Sequence, residues 1–136
     1  MRLKSIYESE EPLEDEDIFG EVADHVMSAI KSQERNLKLE KYILSNENLF
    51  YYAYLYARDV LKKPWPEAEE IIKKSPVQSY GYAMDVIKGR WPEGEEAIKR
   101  NANAAQAYAT NVLKKPWPEG EEAIKTNQNA TFFYTK

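Results

Sequence analysis

A block of nine residues that opens Trp-Pro-Glu occurs three times at a constant period of 26, and that period constrains the fold more than any other feature of the chain. Trp65-Pro66-Glu67-Ala68-Glu69-Glu70-Ile71-Ile72-Lys73 returns as Trp91-Pro92-Glu93-Gly94-Glu95-Glu96-Ala97-Ile98-Lys99. It returns again as Trp117-Pro118-Glu119-Gly120-Glu121-Glu122-Ala123-Ile124-Lys125. A second signature keeps the same step: Tyr56-Ala57, Tyr82-Ala83, Tyr108-Ala109 and Tyr134-Thr135, with Asp59, Asp85 and Asn111 three residues after the tyrosines. Two linked signatures at one period define a tandem structural repeat, in which each unit hides its apolar face against the next.

Each unit reads as a helical hairpin. Pro66, Pro92 and Pro118 suit a first helical position, where the missing N–H is no loss, and the glutamates behind them favour the positive end of the helix dipole. Glu69→Lys73, Glu70→Lys74, Glu95→Lys99, Glu96→Arg100 and Glu121→Lys125 are spaced i,i+4, the better polarity for helical ion pairs, at about 0.2–0.5 kcal/mol each. Trp65, Ala68 and Ile72 form the inward stripe of the first helix. Ser75, Asn101 and Asn127 recur in register as caps of the second helix, and Pro76 occupies its first turn. That helix ends at Lys62-Lys63-Pro64, Lys88-Gly89 or Lys114-Lys115-Pro116, with Gly89 supplying a left-handed C-cap and the lysines suiting the negative dipole end. Helices of about eight and about thirteen residues fill the period and span on the order of 12 and 20 Å. The Leu-x-x-Leu-x-Leu pattern of leucine-rich repeats is absent. The expected fold is all-α: an α-solenoid of short helical hairpins with an N-terminal capping helix.

The remainder divides as an acidic flexible arm over residues 1–14, a capping helix and degenerate first repeat helix over 15–47, and tandem repeats over 48–136. The capping helix is expected to start near Asp15 or Asp17. Ile18, Val22, Val26 and Ile30 recur every four residues, with Phe19, Ala23 and Met27 beside them, an amphipathic stripe suited to covering the first repeat. Leu37, Leu39, Tyr42, Ile43 and Leu44 mark a helix that lacks the Trp-Pro-Glu block. Leu44 to Ala57 is longer than Ile72 to Ala83 by two, so two extra residues are expected in the turn, with Asn48 capping the next helix.

The run Ala83-Met84-Asp85-Val86-Ile87-Lys88-Gly89-Arg90-Trp91-Pro92-Glu93-Gly94-Glu95-Glu96-Ala97-Ile98 resembles a short Trp-Pro-Glu helical repeat found in tandem in uncharacterised tailed-bacteriophage and bacterial proteins. The resemblance covers about residues 49–136. It implies helical repeats and a phage origin, and it brings no catalytic residues; residues 1–48 fall outside it.

Several chemistries are excluded by composition. With no cysteine, disulfides, thiolate catalysis and cysteine zinc sites are ruled out. No apolar run reaches the roughly 18–20 residues of a membrane span, and early glutamates rule out a secretory signal, which makes a cytoplasmic location the expectation. The net charge of −4 is uneven: residues 1–34 carry ten acidic and three basic side chains, whereas residues 35–136 carry thirteen and sixteen. Seven of the ten residues from Glu8 to Asp17 are acidic, a solvated arm.

No catalytic, cofactor or metal site is expected. His25, the only histidine, has no partner residues that would make it a ligand or base and reads as an ordinary surface or partly buried side chain. Asp15-x-Asp17-x-Phe19-Gly20 fails as a calcium loop because Phe19 and Val26 stand where oxygen ligands belong. The glutamate triplets recur in three equivalent places, as a solvated face does and a unique catalytic site does not. The Tyr and Trp columns could stack bases, but the array interleaves basic pairs with acidic triplets, so core packing is the expected role and a nucleic-acid partner is disfavoured. Buried tyrosine hydroxyls then need partners, for which Asp59, Asp85 and Asn111 are the nearest outlet.

The candidate partner-binding residues are Phe50, Tyr51, Tyr52 and Tyr54, more aromatics than one helix face can bury, and Phe132 and Phe133 in the last unit. The expected function is a non-enzymatic protein-binding module. With the phage resemblance, it becomes an inhibitor or adaptor acting on a host or defence protein in the host cytoplasm. The alternatives are a structural or virion-associated protein that self-assembles through its array ends, as a homo-oligomer, and a nucleic-acid binder.

Overall fold

The computed structural model describes residues 18–126, with side-chain surroundings from Glu21 onward. The arm over residues 1–14, the expected helix start at Asp15 or Asp17, and Asn127, Phe132, Phe133 and Tyr134 lie outside the described residues. Among the described residues every regular element is helical, and there is no strand.

The elements are α1 (Ile18–Ser32), α2 (Leu37–Leu44), α3 (Phe50–Tyr56), α4 (Glu69–Ile72), α5 (Pro76–Tyr82), α6 (Glu95–Ile98), α7 (Ala102–Ala107) and α8 (Glu121–Lys125). A 3₁₀ turn leads into each of α4, α6 and α8 at Pro66–Ala68, Pro92–Gly94 and Pro118–Gly120. These prolines begin their turns, where an absent N–H is tolerated. Ser75 and Asn101 cap α5 and α7 as expected, accepting from the backbone N–H of Gln78 at 3.2 Å and of Ala104 at 2.9 Å.

The second helix of each unit does not end as a plain α-helix. α3, α5 and α7 run on into π-helical turns at Ala57–Leu61, Ala83–Ile87 and Tyr108–Leu113. In each, a lysine N–H reaches back five residues, Lys62 to Ala57 O, Lys88 to Ala83 O and Lys114 to Ala109 O, all at 2.7 Å. The left-handed residue is that lysine, with φ of 56°, 64° and 59° in turn. This corrects the expectation for Gly89, since no glycine in the described residues has positive φ.

α3 packs on α5 and α5 on α7, while α4, α6 and α8 each lie against the second helix before them. Trp65, Trp91 and Trp117 are buried, as are Tyr56, Tyr82 and Tyr108, so both columns are core as expected. Each tyrosine ring meets the tryptophan nine residues on, at centroid distances of 5.3, 4.8 and 4.9 Å. Gly94 and Gly120 are required beneath the latter two rings. A Cβ at either would fall inside contact distance of the indole, with Trp91 or Trp117 Cδ2 at 2.8 Å. Ala68 holds the same place in the first of the three blocks, and there the pair is wider and flatter, at 42° rather than 55° and 58°.

α1 covers α2, α3 and the first π turn through Val22, Val26 and Ala29. Met27, expected on that stripe, is exposed: the buried side of α1 is set by Val22, His25, Val26 and Ala29. Gln33, left-handed at φ 60°, closes α1, and its amide donates to Asp59 O at 3.0 Å. Three residues are inserted between α2 and α3 rather than two. Ile43, not Leu44, is the buried counterpart of Ile72, and Asn46-Glu47-Asn48 form the additional turn. Asn48 does not cap α3; the fully buried Leu49 stands at the N-cap position without a side-chain hydrogen bond.

Candidate binding surface

The tyrosine hydroxyls find their partners on the glutamates rather than on the Asp59, Asp85 and Asn111 column. Tyr82 Oη accepts the Trp65 backbone N–H at 2.7 Å and donates to Glu69 Oε2 at 2.8 Å. Tyr108 repeats this with Trp91 N–H at 2.8 Å and Glu95 Oε2 at 2.7 Å. Tyr56 does the same in the degenerate unit, accepting from Asn36 N–H at 2.8 Å and donating to Glu40 Oε2 at 2.6 Å. Each tyrosine thus ties the start of its own unit while its ring packs on the tryptophan of the next. Burial is the main cause that pushes all three hydroxyls above the ordinary tyrosine range, and the facing carboxylates add to it.

This geometry corrects the reading of the glutamate triplets as a uniformly solvated face. Their middle members, Glu69 and Glu95, turn inward. The expected i,i+4 pairs to Lys73 and Lys99 therefore give way to i,i+3 pairs, Lys73–Glu70 and Lys99–Glu96, both at 2.8 Å. Glu95 also receives Arg90 at 2.7 Å, and Glu40 receives the guanidinium of Arg35 in a two-point contact. Burial opposes ionisation of Glu40, but hydrogen bonds from Arg35 and Tyr56 outweigh it and hold the carboxyl below the usual range.

The Asp/Asn column serves a second tyrosine column instead. Tyr54 Oη donates to Asp85 Oδ2 and accepts from Arg58, whose guanidinium also lies over the Tyr54 ring. Arg58 pairs in turn with Asp59 at 2.8 Å. One unit on, Asn111 Nδ2 donates to Tyr80 Oη at 3.0 Å. Burial first, and Asp85 second, raise the Tyr54 hydroxyl to about 12. Gly81 gives the Tyr54 ring room, since a Cβ there would stand 3.0 Å from Tyr54 Cζ.

Of the expected partner-binding aromatics, Tyr51 is the exposed one, at 46%. Phe50 and Tyr52 pack against the core, Tyr52 edge-on to Tyr51 at 5.3 Å, and Tyr54 is buried with its hydroxyl engaged. Phe132 and Phe133 fall outside the described residues. The structure adds Val77, 52% exposed, and Met84, 41% exposed, both on the second hairpin helix. Val77 lies 26 residues after Tyr51, and Tyr80 and Met84 follow it at helical spacing. Tyr51 and Val77 accordingly hold equivalent positions of α3 and α5, and half-buried Tyr80 and exposed Met84, in the π turn that follows, continue from Val77 at helical spacing. The period that aligned the buried columns also aligned Tyr51 with Val77, and only the exposures separate the two roles.

The loops that follow the π turns carry Lys62, Lys63, Lys88, Arg90, Lys114 and Lys115, but each is followed within a turn by exposed glutamates such as Glu67, Glu93 and Glu119. Basic and acidic side chains thus alternate along the chain rather than segregating into long runs of one sign. His25 is 5% exposed, more deeply buried than the sequence suggested. Among the described residues no group of three or more His, Asp or Glu side chains is placed to hold a metal ion, and no helix is long and apolar enough to cross a membrane. No protein-family model matches the chain, nor does any curated protein or solved structure.

Proposed function

We propose that the chain is a short α-solenoid that acts, without chemistry of its own, as a protein-binding module in the cytoplasm. The solenoid reading rests on the succession of α3, α5 and α7 and on the tyrosine staple that recurs at each step. The binding reading rests on one observation: the tyrosine hydroxyls and the inward glutamates of the repeat signatures are engaged with one another, whereas Tyr51, Val77 and Met84 remain exposed on the second helices and the π turn that follows. Exposed apolar and aromatic side chains at equivalent positions of successive units are the feature of this surface that a protein partner would read. The resemblance to phage repeats makes a host or defence protein the proposed target, with the chain as inhibitor or adaptor.

The test is capture and crosslinking from a bacterial host extract with the wild-type chain and with a Tyr51→Glu/Val77→Glu/Met84→Glu variant, after circular dichroism shows both folded. A partner held by the wild type and lost by the variant supports the reading. Identical captured sets refute the assigned face. Light scattering of both proteins separates the alternative of self-assembly through the array ends, in which both grow with concentration alike because the substituted face is not at an end.

A further inference from the structure

Gln33 and Lys62 are both left-handed residues that close a helix, and their N–H groups return to Ala29 O and Ala57 O, so Ala29 in α1 stands where Ala57 stands in α3. Counting back one turn, His25 takes the place of Ala53, Ser79 and Ala105, all fully buried in their units. An imidazole therefore occupies, at the α1 interface, a position that elsewhere holds a methyl or a hydroxyl. α1 is fastened there by Val22, Val26 and Ala29 and by the Gln33 bond to Asp59 O.

We propose that His25 is a pH-sensitive latch: proton uptake by its imidazole undocks α1 from α2, α3 and the first π turn and uncovers the flank of α3. A charge at this position must be buried or the helix must leave. On its own helix Glu21 and Asp24 favour the charged form. On the elements packed against α1, Glu40 is held by Arg35 and Tyr56, and Asp59 by Arg58, so both carboxylates are already engaged. Lys38 and Lys41 of α2 carry the same sign as the imidazolium, and the other titratable groups are tyrosines. Burial is the largest influence and lowers the pKa from 6.5. With the folded value below the unfolded one, docking is at full strength above pH 6.5 and weakens as the pH falls below it.

The experiment is hydrogen exchange of the full chain from pH 7.5 to 5, corrected for intrinsic rates, on wild type, His25→Ala and His25→Gln. In the wild type, protection of α1 falls about tenfold for each unit separating the docked and free imidazole, while α5 to α7 hold theirs. Both variants show flat α1 protection. A flat wild-type profile, the same fall in either variant, or an NMR titration placing His25 at or above 6.5 overturns the latch. Should His25→Ala not fold, the glutamine variant and the titration still decide it.

Discussion

Tyr82→Phe removes one oxygen atom and tests whether the hydroxyl holds the two helices of one unit together. The phenyl ring keeps its place against Trp91, so the aromatic contact at 4.8 Å survives. Two interactions are lost: the buried Trp65 N–H loses its acceptor and Glu69 its donor. A stranded buried N–H costs about 1–3 kcal/mol, and a hydrogen bond to a charged group is worth about 1.5–3 kcal/mol when kept dry. Glu69 is partly exposed and recovers water, so its share is discounted and the sum set at about 2–3 kcal/mol. For a chain of this size that lowers the melting temperature by roughly 6–15 °C. Urea denaturation followed by helical circular dichroism and by tryptophan fluorescence measures it. The control is Tyr80→Phe, whose hydroxyl takes only an exposed bond from Asn111 and should cost under about 1 kcal/mol. A Tyr82→Phe loss below about 0.5 kcal/mol, the range of an ordinary surface change, would show that the hydroxyl is not a staple, whatever the distances. So would the absence of coupling in a double-mutant cycle with Glu69→Gln.

Gly94→Ala should cost about 1–3 kcal/mol by overpacking against Trp91; Ala68→Gly, beneath the wider Tyr56–Trp65 pair, should leave the indole where it is, as near-ultraviolet circular dichroism would report. Lys88→Gly relieves a left-handed side chain and should stabilise by up to about 1 kcal/mol, whereas Gly89→Ala meets open space without positive φ and should change little; urea midpoints compare them. Raised folded pKa values at Tyr54, Tyr56, Tyr82 and Tyr108 mean that their contribution is complete below about pH 10 and is lost as the pH climbs toward the folded values. Melting temperatures from pH 8 upward should accordingly fall beyond pH 10, in step with tyrosinate absorbance.

The period made the helices, their prolines and the inward Tyr and Trp columns legible, because helix type and burial are written into spacing. What spacing leaves open is which of two adjacent groups a side chain meets. Glu69 lies four residues before Lys73 and thirteen before Tyr82; local counting favours the lysine, and burial of the hydroxyl decides for the tyrosine. The left-handed cap was misassigned for a related reason. Glycine is the usual occupant of that conformation, but the five-residue returns to Ala57, Ala83 and Ala109 close these helices at Lys62, Lys88 and Lys114, so the left-handed position falls one residue before Gly89. No composition signal announces a π turn. For the binding face, Tyr51 was legible as surplus aromatic, whereas Val77 and Met84 resemble core residues until their exposure is known.

The same π turn explains why the N-terminal segment reads as a cap although it follows the repeat. Asn36 donates its N–H to Tyr56 as Trp65 does to Tyr82, Glu40 accepts as Glu69 does, and Ile43 is buried as Ile72 is. From Gln33 to Ile43 the register is that of Lys62 to Ile72. Upstream of Gln33 it slips by one residue, because α1 closes with a four-residue return to Ala29 where the later units make a five-residue return. Downstream, Asn46-Glu47-Asn48 displace it by three more. Two small changes of opposite placement, one in a helix end and one in a turn, hide a complete repeat from any search at a fixed period of 26. Hydrogen bonds survive such slips because they follow the fold rather than the numbering, and the Asn36–Tyr56–Glu40 triad is what marks α2 and α3 as a hairpin of the same kind as those that follow.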